Sequence, residues 1–123
     1  MLNDAILIGS ILEAIDALNK MDLEKLSSFY ADDVVYVLNG AVIARTKTDL
    51  IQALSALRSG GFERKHLVSI SARANVVTFH GYNTYTDGHT VQGGEMALFN
   101  DEGKVIALSA MTPEPTVLGS PRS

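Results

Sequence analysis

The stretch Val76–Phe99 constrains the fold more than any other part of this 123-residue chain. It reads VVTFHGYNTYTDGHTVQGGEMALF, in which two runs of alternating apolar and polar residues flank Asp87-Gly88. An Asp-Gly pair between two such runs is a strong signal for a β-hairpin with a two-residue turn. The sequence therefore predicts two antiparallel strands in which Thr86 lies opposite His89.

This register brings polar side chains together on one face of the hairpin. Continuing the pairing places His80 across from Glu95 and Tyr82 across from Gly93. Directly opposed side chains point to the same face, with their Cβ atoms about 5 Å apart. We therefore expect an imidazole, a carboxylate and a phenol side by side in a row that faces the concave interior.

The other face of the same hairpin is too apolar for an exposed sheet surface. A broad apolar patch rimmed by polar residues usually marks an interface. We therefore expect a homodimer formed through this outer face, although the proline-containing tail could cover it instead. The residues assigned to this interface are Phe79, Tyr85, Met96 and Leu98, together with Val77.

Three helices are predicted in the first half of the chain. Apolar residues recur at helical spacing over residues 3–20, with Asn3 or Asp4 as the N-cap. Asp22 is a second N-cap residue, and Ala31-Asp32-Asp33 is predicted to end that short helix. Thr48-Asp49 predicts the start of a third helix, which runs through about residue 58.

A first strand is predicted between the second and third helices, and strand patterns dominate the second half. Residues 34–38 are β-branched or aromatic, and residues 42–43 are expected to pair back briefly. Alternation over residues 66–73 predicts a strand whose buried face carries His66, Val68, Ile70 and Ala72. The last strand is predicted over Val105–Met111. Helices on one face of an antiparallel sheet define an α+β fold, here as a single domain of residues 1–123 with a loose tail over about 113–123.

Composition narrows the classes of partner and cofactor. The net charge of −4 argues against nucleic acid as the main partner, because phosphate binding needs clustered Lys and Arg. No stretch approaches the roughly 18 apolar residues of a membrane span. The absence of cysteine excludes disulfides and thiolate metal sites. We expect a cytoplasmic protein with no metal and no cofactor.

Two stretches make the chain similar to a known superfamily. The first, DALNKMDLEKLSSFYADDVVYVLNG, closes a short helix in an acidic turn before a strand; the second, EMALFNDEGKVIALSAM, ends the meander. Together with the order of elements, they resemble the NTF2-like superfamily, specifically its ketosteroid isomerase and SnoaL-like branch. The resemblance implies a cone, in which a curved antiparallel sheet wraps three N-terminal helices around an apolar pocket, and dimers that pair through their sheets.

The resemblance also identifies three positions that carry chemistry in the isomerase branch. The general-base carboxylate falls on Leu38, which cannot accept a proton, and the oxyanion-donating tyrosine falls near Ala14, which cannot donate one. The third position, a carboxylic acid, falls on Glu95. Ketosteroid isomerase activity is therefore not expected.

Glu95 and His80 are the candidate catalytic residues. In a pocket, Glu95 serves as an acid or base, and His80 serves as a general base held in one tautomer by Glu95. The alternatives are a solvated glutamate at the rim and a structural histidine. Candidate substrate-binding residues are Tyr30, Tyr36, Leu38, Tyr82, Ala97 and Leu108.

Three functions stay open at this point. The first is an enzyme that moves protons on a small, largely apolar substrate, as in isomerisation, aldol-type cyclisation, dehydration or epoxide hydration. The second is a module that binds a hydrophobic ligand without reacting it. The third is a domain that associates through its apolar sheet face.

Overall fold

A computed structural model describes residues 2–113. The expected loose tail over 113–123 lies almost wholly outside these residues. The described elements are α1 (Asp4–Asn19), α2 (Leu23–Ser27), β1 (Tyr30–Leu38), β2 (Ala41–Ala44), α3 (Lys47–Ser55), a 3₁₀ turn (Arg58–Gly60), β3 (Phe62–Arg73), β4 (Val76–Tyr85), β5 (Thr90–Phe99) and β6 (Val105–Met111).

Short polar side chains start each α-helix. The side chains of Asn3 and Asp22 accept from the backbone N–H of the third residue after them, which confirms both predicted N-caps. α3 begins earlier than expected, because Thr46 rather than Thr48 caps it, and it ends at Ser55. The prediction that residues 31–33 form an acidic turn at the end of the second helix is wrong, because they belong to β1, which starts at Tyr30.

The six strands form one curved sheet in the order β2-β1-β6-β5-β4-β3. β1 pairs with β6 in parallel, whereas the other neighbours are antiparallel. The expectation of a purely antiparallel sheet is therefore wrong. The periodicity of a sequence indicates which face of a strand is buried but not which strands become neighbours. The parallel pairing could not be predicted, because β1 and β6 are far apart in the sequence. The expectation of three N-terminal helices is not confirmed either, since α3 follows the β1–β2 hairpin.

The β4–β5 hairpin turns through three residues rather than two. The backbone N–H of Tyr85 donates to the carbonyl of His89 at 3.1 Å, which leaves residues 86–88 as the loop. Gly88 N–H donates back to the Tyr85 carbonyl at 2.9 Å, and Gly88 has a φ of +91°. A turn followed by a left-handed glycine is the usual three-residue hairpin loop. Asp87-Gly88 thus fills its last two positions, and the predicted register is wrong by one residue.

That single residue reverses the faces of β4 relative to β5. Phe79 lies across from Glu95, and His80 lies across from Gly94. Phe79 is 8% exposed and faces inward, and Tyr85 packs edge-on against Phe62. Neither belongs to the outer face to which the sequence assigned them, and the fully buried Val77 does not either. Met96 and Leu98 do lie on the outer face, at 48% and 38% exposure.

A bulge in β3 corrects the predicted face of that strand. Leu67 pairs with Gly81 and Ser69 pairs with His80, so Val68 is an extra residue and is 60% exposed. Before the bulge the inward positions are Lys65 and Leu67. After it they are Ile70 and Ala72, as expected. His66 and Val68 were therefore assigned to the wrong face, because a bulge changes the phase of the alternation.

The three helices pack on the inner face of the sheet and form the core with it. α1 contacts β3, and α3 contacts β1 and β2. The largest fully buried side chains come from both layers: Phe62, Phe99, Leu7, Leu26, Leu50, Val34, Val77 and Val105.

Candidate functional site

A cavity of about 270 Å³ opens between the helices and the inner face of the sheet. Its helical wall is apolar, with Ile11, Leu18 and Leu54 among its residues. Five of the six residues expected to bind substrate line it: Tyr30, Tyr36, Leu38, Tyr82 and Leu108. Ala97 faces inward but is fully buried in the core and does not line the cavity.

An ion pair between Lys65 and Glu95 lies in this cavity. Lys65 Nζ is 2.7 Å from Glu95 Oε2, and the two side chains are 19% and 17% exposed. Glu95 reaches the cavity from β5, as the sequence predicted, since alternation places it on the face of Ala97 and Phe99. Lys65 reaches it from β3, because the bulge turns that part of the strand inward. Glu95 Oε1 has no hydrogen-bond partner among residues 2–113.

Two tyrosines near Glu95 are held in the neutral form. Burial raises the pKa of Tyr30 far above its ordinary value, and the negative charge of Glu95 raises it further. Burial, and then the charge of Glu95, raises the pKa of Tyr36 to about 12. Both phenols therefore keep their protons at neutral pH and can donate hydrogen bonds to a ligand.

The expected pairing of His80 with Glu95 does not form. His80 is exposed on the outer face, where its Nδ1 lies 2.7 Å from Ser69 Oγ. Its side chain and that of Glu95 point to opposite faces of the sheet, because of the one-residue register difference described above. His80 therefore cannot act with Glu95, and the catalytic role assigned to it is withdrawn.

Tyr82 lies at the edge of the cavity rather than inside it. It contributes to the lining, but its ring stacks on His66 with centroids 4.7 Å apart and it is 37% exposed. The expectation that it faces Gly93 is wrong, since its partner on β5 is Gln92.

Two opposed glycines on the inner face of the sheet leave room for the cavity, because neither carries a side chain that would fill it. Gly81 pairs directly with Gly93 on the inner face, and both line the cavity. A Cβ atom at Gly81 would lie 1.9 Å from the His66 carbonyl oxygen, which is impossible without moving the backbone. At Gly93 a Cβ atom would lie 3.0 Å from the Met111 carbonyl oxygen. Glycine thus permits the close approach of β3 at the bulge and keeps side chains out of the cavity.

Sequence reasoning missed Lys65 and Asn83, the other strongly polar residues of the cavity. Asn83 pairs with Lys65 across the β3–β4 ladder and is among the lining residues, and its Oδ1 is buried without a hydrogen-bond partner among residues 2–113. A signal for Asn83 was available: in the hairpin register with a three-residue loop, the alternation of β4 places Asn83 on the same inward face as Phe79. Nothing in the sequence marked the bulge that turns Lys65 inward.

Residues 2–113 contain no group of three or more His, Cys, Asp or Glu side chains placed to hold a metal ion. Within the same residues, every helix is too short or too polar to cross a membrane.

Comparison with solved structures identifies the fold. An NTF2-like protein of unknown function from Cytophaga hutchinsonii superposes with a TM-score of 0.74 at 13% identity, covering 91% of this chain and 93% of that one. A candidate SnoaL-like polyketide cyclase from Shewanella denitrificans gives 0.76 at 15% identity, covering 91% and 93%. A candidate ketosteroid isomerase from Kribbella flavida gives 0.75 at 18% identity, covering 86% and 76%.

The chain therefore has the NTF2-like fold, which confirms the predicted resemblance at the level of architecture. No protein-family model and no curated protein matches the sequence. At these identities the likeness establishes the fold alone.

Proposed function

We propose that this protein is an enzyme that uses Glu95 as a base on a small, neutral and largely apolar carbonyl compound. The observation that carries the proposal is the Lys65–Glu95 ion pair, with its 2.7 Å contact, inside an otherwise apolar cavity. Burying charged groups away from water costs free energy. An ion pair inside a cavity, and not at the solvent-exposed surface, therefore calls for a functional reason.

The cavity supplies the two groups that enolisation requires. Glu95 Oε1 would take a proton from the carbon next to a carbonyl group, and the C–H electron pair would move into the new C=C bond as the carbonyl oxygen becomes an enolate. The neutral phenol of Tyr36 or Tyr30 would donate a hydrogen bond to that oxygen. Lys65 would hold the Glu95 side chain in one orientation through Oε2.

The fate of the enolate decides the reaction class. Return of the proton to another carbon gives isomerisation, attack on a second carbonyl gives cyclisation, and loss of a β-hydroxyl gives dehydration. The names of the Shewanella and Kribbella proteins, a cyclase and an isomerase, support the first two. Leu38 and Ala14 do line the cavity, and neither can move a proton, so a ketosteroid isomerase with its usual base and donor is not proposed.

The test is hydrogen–deuterium exchange at the α-carbon of 1-tetralone, followed by NMR in D₂O. We expect the wild-type protein to accelerate exchange and Glu95→Gln to lose about 10²–10⁴-fold of that rate, the usual contribution of a positioned base. The matched control is Glu63→Gln, the same change at an exposed position of β3, and it should exchange at the wild-type rate. Equal rates in Glu95→Gln and Glu63→Gln would refute the proposal.

A second candidate is binding without reaction, because Lys65 neutralises the carboxylate that would act as base. In that case 1-tetralone would raise the melting temperature without any exchange. Thermal melting on the same samples detects binding under either function, since a ligand at a hundred times its Kd adds about 2.7 kcal/mol, and the exchange rate then separates the two.

We also propose that two copies associate through the outer face of the sheet. Met96, Leu98 and Met111 support this, since they are exposed there at 48%, 38% and 67%. Sedimentation of wild type and Leu98→Lys tests it: a dimer that dissociates in the variant is expected. A wild-type monomer at micromolar concentration would contradict it.

A further inference from the structure

The charges that line the cavity cancel one another. Among residues 2–113, Lys65 and Glu95 are the ionised side chains of the lining, and they bind each other at 2.7 Å. An anionic ligand would have to displace Glu95 from Lys65, and a cationic one would have to displace Lys65 from Glu95. The cavity therefore favours an uncharged ligand.

One buried polar atom of the cavity lining has no hydrogen-bond partner in the described part of the chain. Asn83 lies on β4 between Lys65 on β3 and Val91 on β5, and all three face inward. Its Oδ1 is buried and accepts no hydrogen bond. Buried amides are ordinarily satisfied, so an exception in the wall of a cavity calls for a functional explanation.

A hydroxyl is the uncharged group that fits this amide best. It both donates and accepts, so it can pair with the carbonyl or the amino side of Asn83. A ligand without such a group would leave the amide unpaired when it fills the cavity. The remaining walls are mostly aliphatic or aromatic, and they match an apolar carbon skeleton in the rest of the ligand.

From these three observations we propose that the substrate is an uncharged ketone with an apolar skeleton that carries a hydroxyl group, and that Asn83 selects for this hydroxyl. The inference rests on the proposed function, since it assigns a ligand class to the same cavity. It adds a specificity-determining residue that does not take part in the proton transfer.

The experiment measures binding alone. The probes are 1-tetralone and three uncharged alcohols derived from it. One alcohol carries its hydroxyl at ring position 4, and the other two carry it on a methyl group at position 6 or at position 7. The methyl ether of each alcohol and a carboxylate of 1-tetralone serve as comparison compounds. Dissociation constants are measured by NMR titration with wild type and Asn83→Leu. We expect at least one alcohol to bind about two- to tenfold more tightly than 1-tetralone and its own ether, the range for one net hydrogen bond. Asn83→Leu should abolish this preference while 1-tetralone still binds, and the carboxylate should bind most weakly.

The possible failures are distinguishable. If 1-tetralone binds and exchanges but no alcohol is preferred over its ether, the role of Asn83 is wrong and the proposed function stands. If the preference survives in Asn83→Leu, another group recognises the hydroxyl and the assignment is overturned. If no ketone binds the wild-type protein, both proposals fall. Should Asn83→Leu not fold, the wild-type preference for alcohol over ether still decides whether a hydroxyl donor is recognised, and Asn83→Ala replaces the variant.

Discussion

Two polar pairs on opposite faces of the same sheet have the same heavy-atom distance and different surroundings. Lys65 and Glu95 meet at 2.7 Å on the inner face, where both side chains are about four-fifths buried. Ser69 and His80 also meet at 2.7 Å, on the exposed outer face. Water competes with the outer pair and screens it, whereas the inner pair lies among apolar side chains. Distance alone therefore does not identify a functional pair; its environment does.

The largest expected effect on stability comes from replacing a glycine on the inner face of the sheet, compared with one on the outer face. Gly81→Ala should destabilise the protein by about 4 kcal/mol or prevent folding, because its Cβ atom would lie 1.9 Å from a backbone oxygen. Gly94→Ala is the matched control: a Cβ atom there meets nothing within 4 Å, and alanine should add about 0.5 kcal/mol. Urea denaturation measures both. Similar stabilities for the two variants would contradict the described bulge.

Removing one partner of the inner pair should have the next largest effect. Lys65→Met leaves the Glu95 carboxylate in the cavity without its cation, and we expect the free energy of unfolding to fall by about 2 kcal/mol. This is less than for a fully buried pair, because both side chains keep some exposure. Lys65→Met combined with Glu95→Leu should recover most of this loss, because no unpaired charge remains. A double variant less stable than Lys65→Met would contradict this account.

Alkaline pH tests the burial of the tyrosines beside this pair. The pKa of Tyr36 is about 12 in the folded state against an ordinary value of 10.0, so the unfolded chain ionises first. Stability is unaffected well below pH 10 and falls as the pH rises from 10 towards 12, by about 1.4 kcal/mol at pH 11 for this residue. Tyr36→Phe should remove that part of the fall, and Tyr82→Phe, which retains Tyr36, is the control. Identical pH profiles for the two variants would place Tyr36 in water.

The smallest effect is expected for the outer pair. Ser69→Ala and His80→Ala should each change stability by less than about 0.5 kcal/mol, because both groups remain solvated whether or not they bind each other. Neither should alter the exchange of 1-tetralone. A loss of exchange in His80→Ala, comparable with that of Glu95→Gln, would mean that chemistry takes place on the outer face after all.

Much of the fold could be predicted from local patterns. The helices, the caps at Asn3 and Asp22 and the last strand depend on interactions within a few residues, and the sequence displays them directly. Glu95 was also placed correctly, because β5 alternates without interruption from Gly93 to Phe99. Leu38 was placed in the cavity through the resemblance to NTF2-like proteins, and Tyr30 and Tyr36 were expected there as hydroxyl donors. All three line the cavity, and their binding of a substrate stays a prediction.

Errors arose wherever one residue changed the phase of a strand. The three-residue loop moved His80, Tyr82, Phe79 and Tyr85 to the faces opposite those predicted. The bulge at Val68 did the same for His66 and brought Lys65 inward. Asp-Gly fits both a two-residue and a three-residue loop, so the choice between them is made by the packing of the neighbouring strands.

The sequence by itself determined that this chain forms an α+β domain with helices against a sheet and with a carboxylate at Glu95 on its inner face. Only the tertiary structure decided what that carboxylate meets. Its partner Lys65 is separated from it by 30 residues, and the contact exists because Gly81 lets β3 bulge towards the cavity. Side-chain alternation has a period of two, so each extra residue in a loop or bulge reverses a face, and the packing of the whole sheet selects where those extra residues fall.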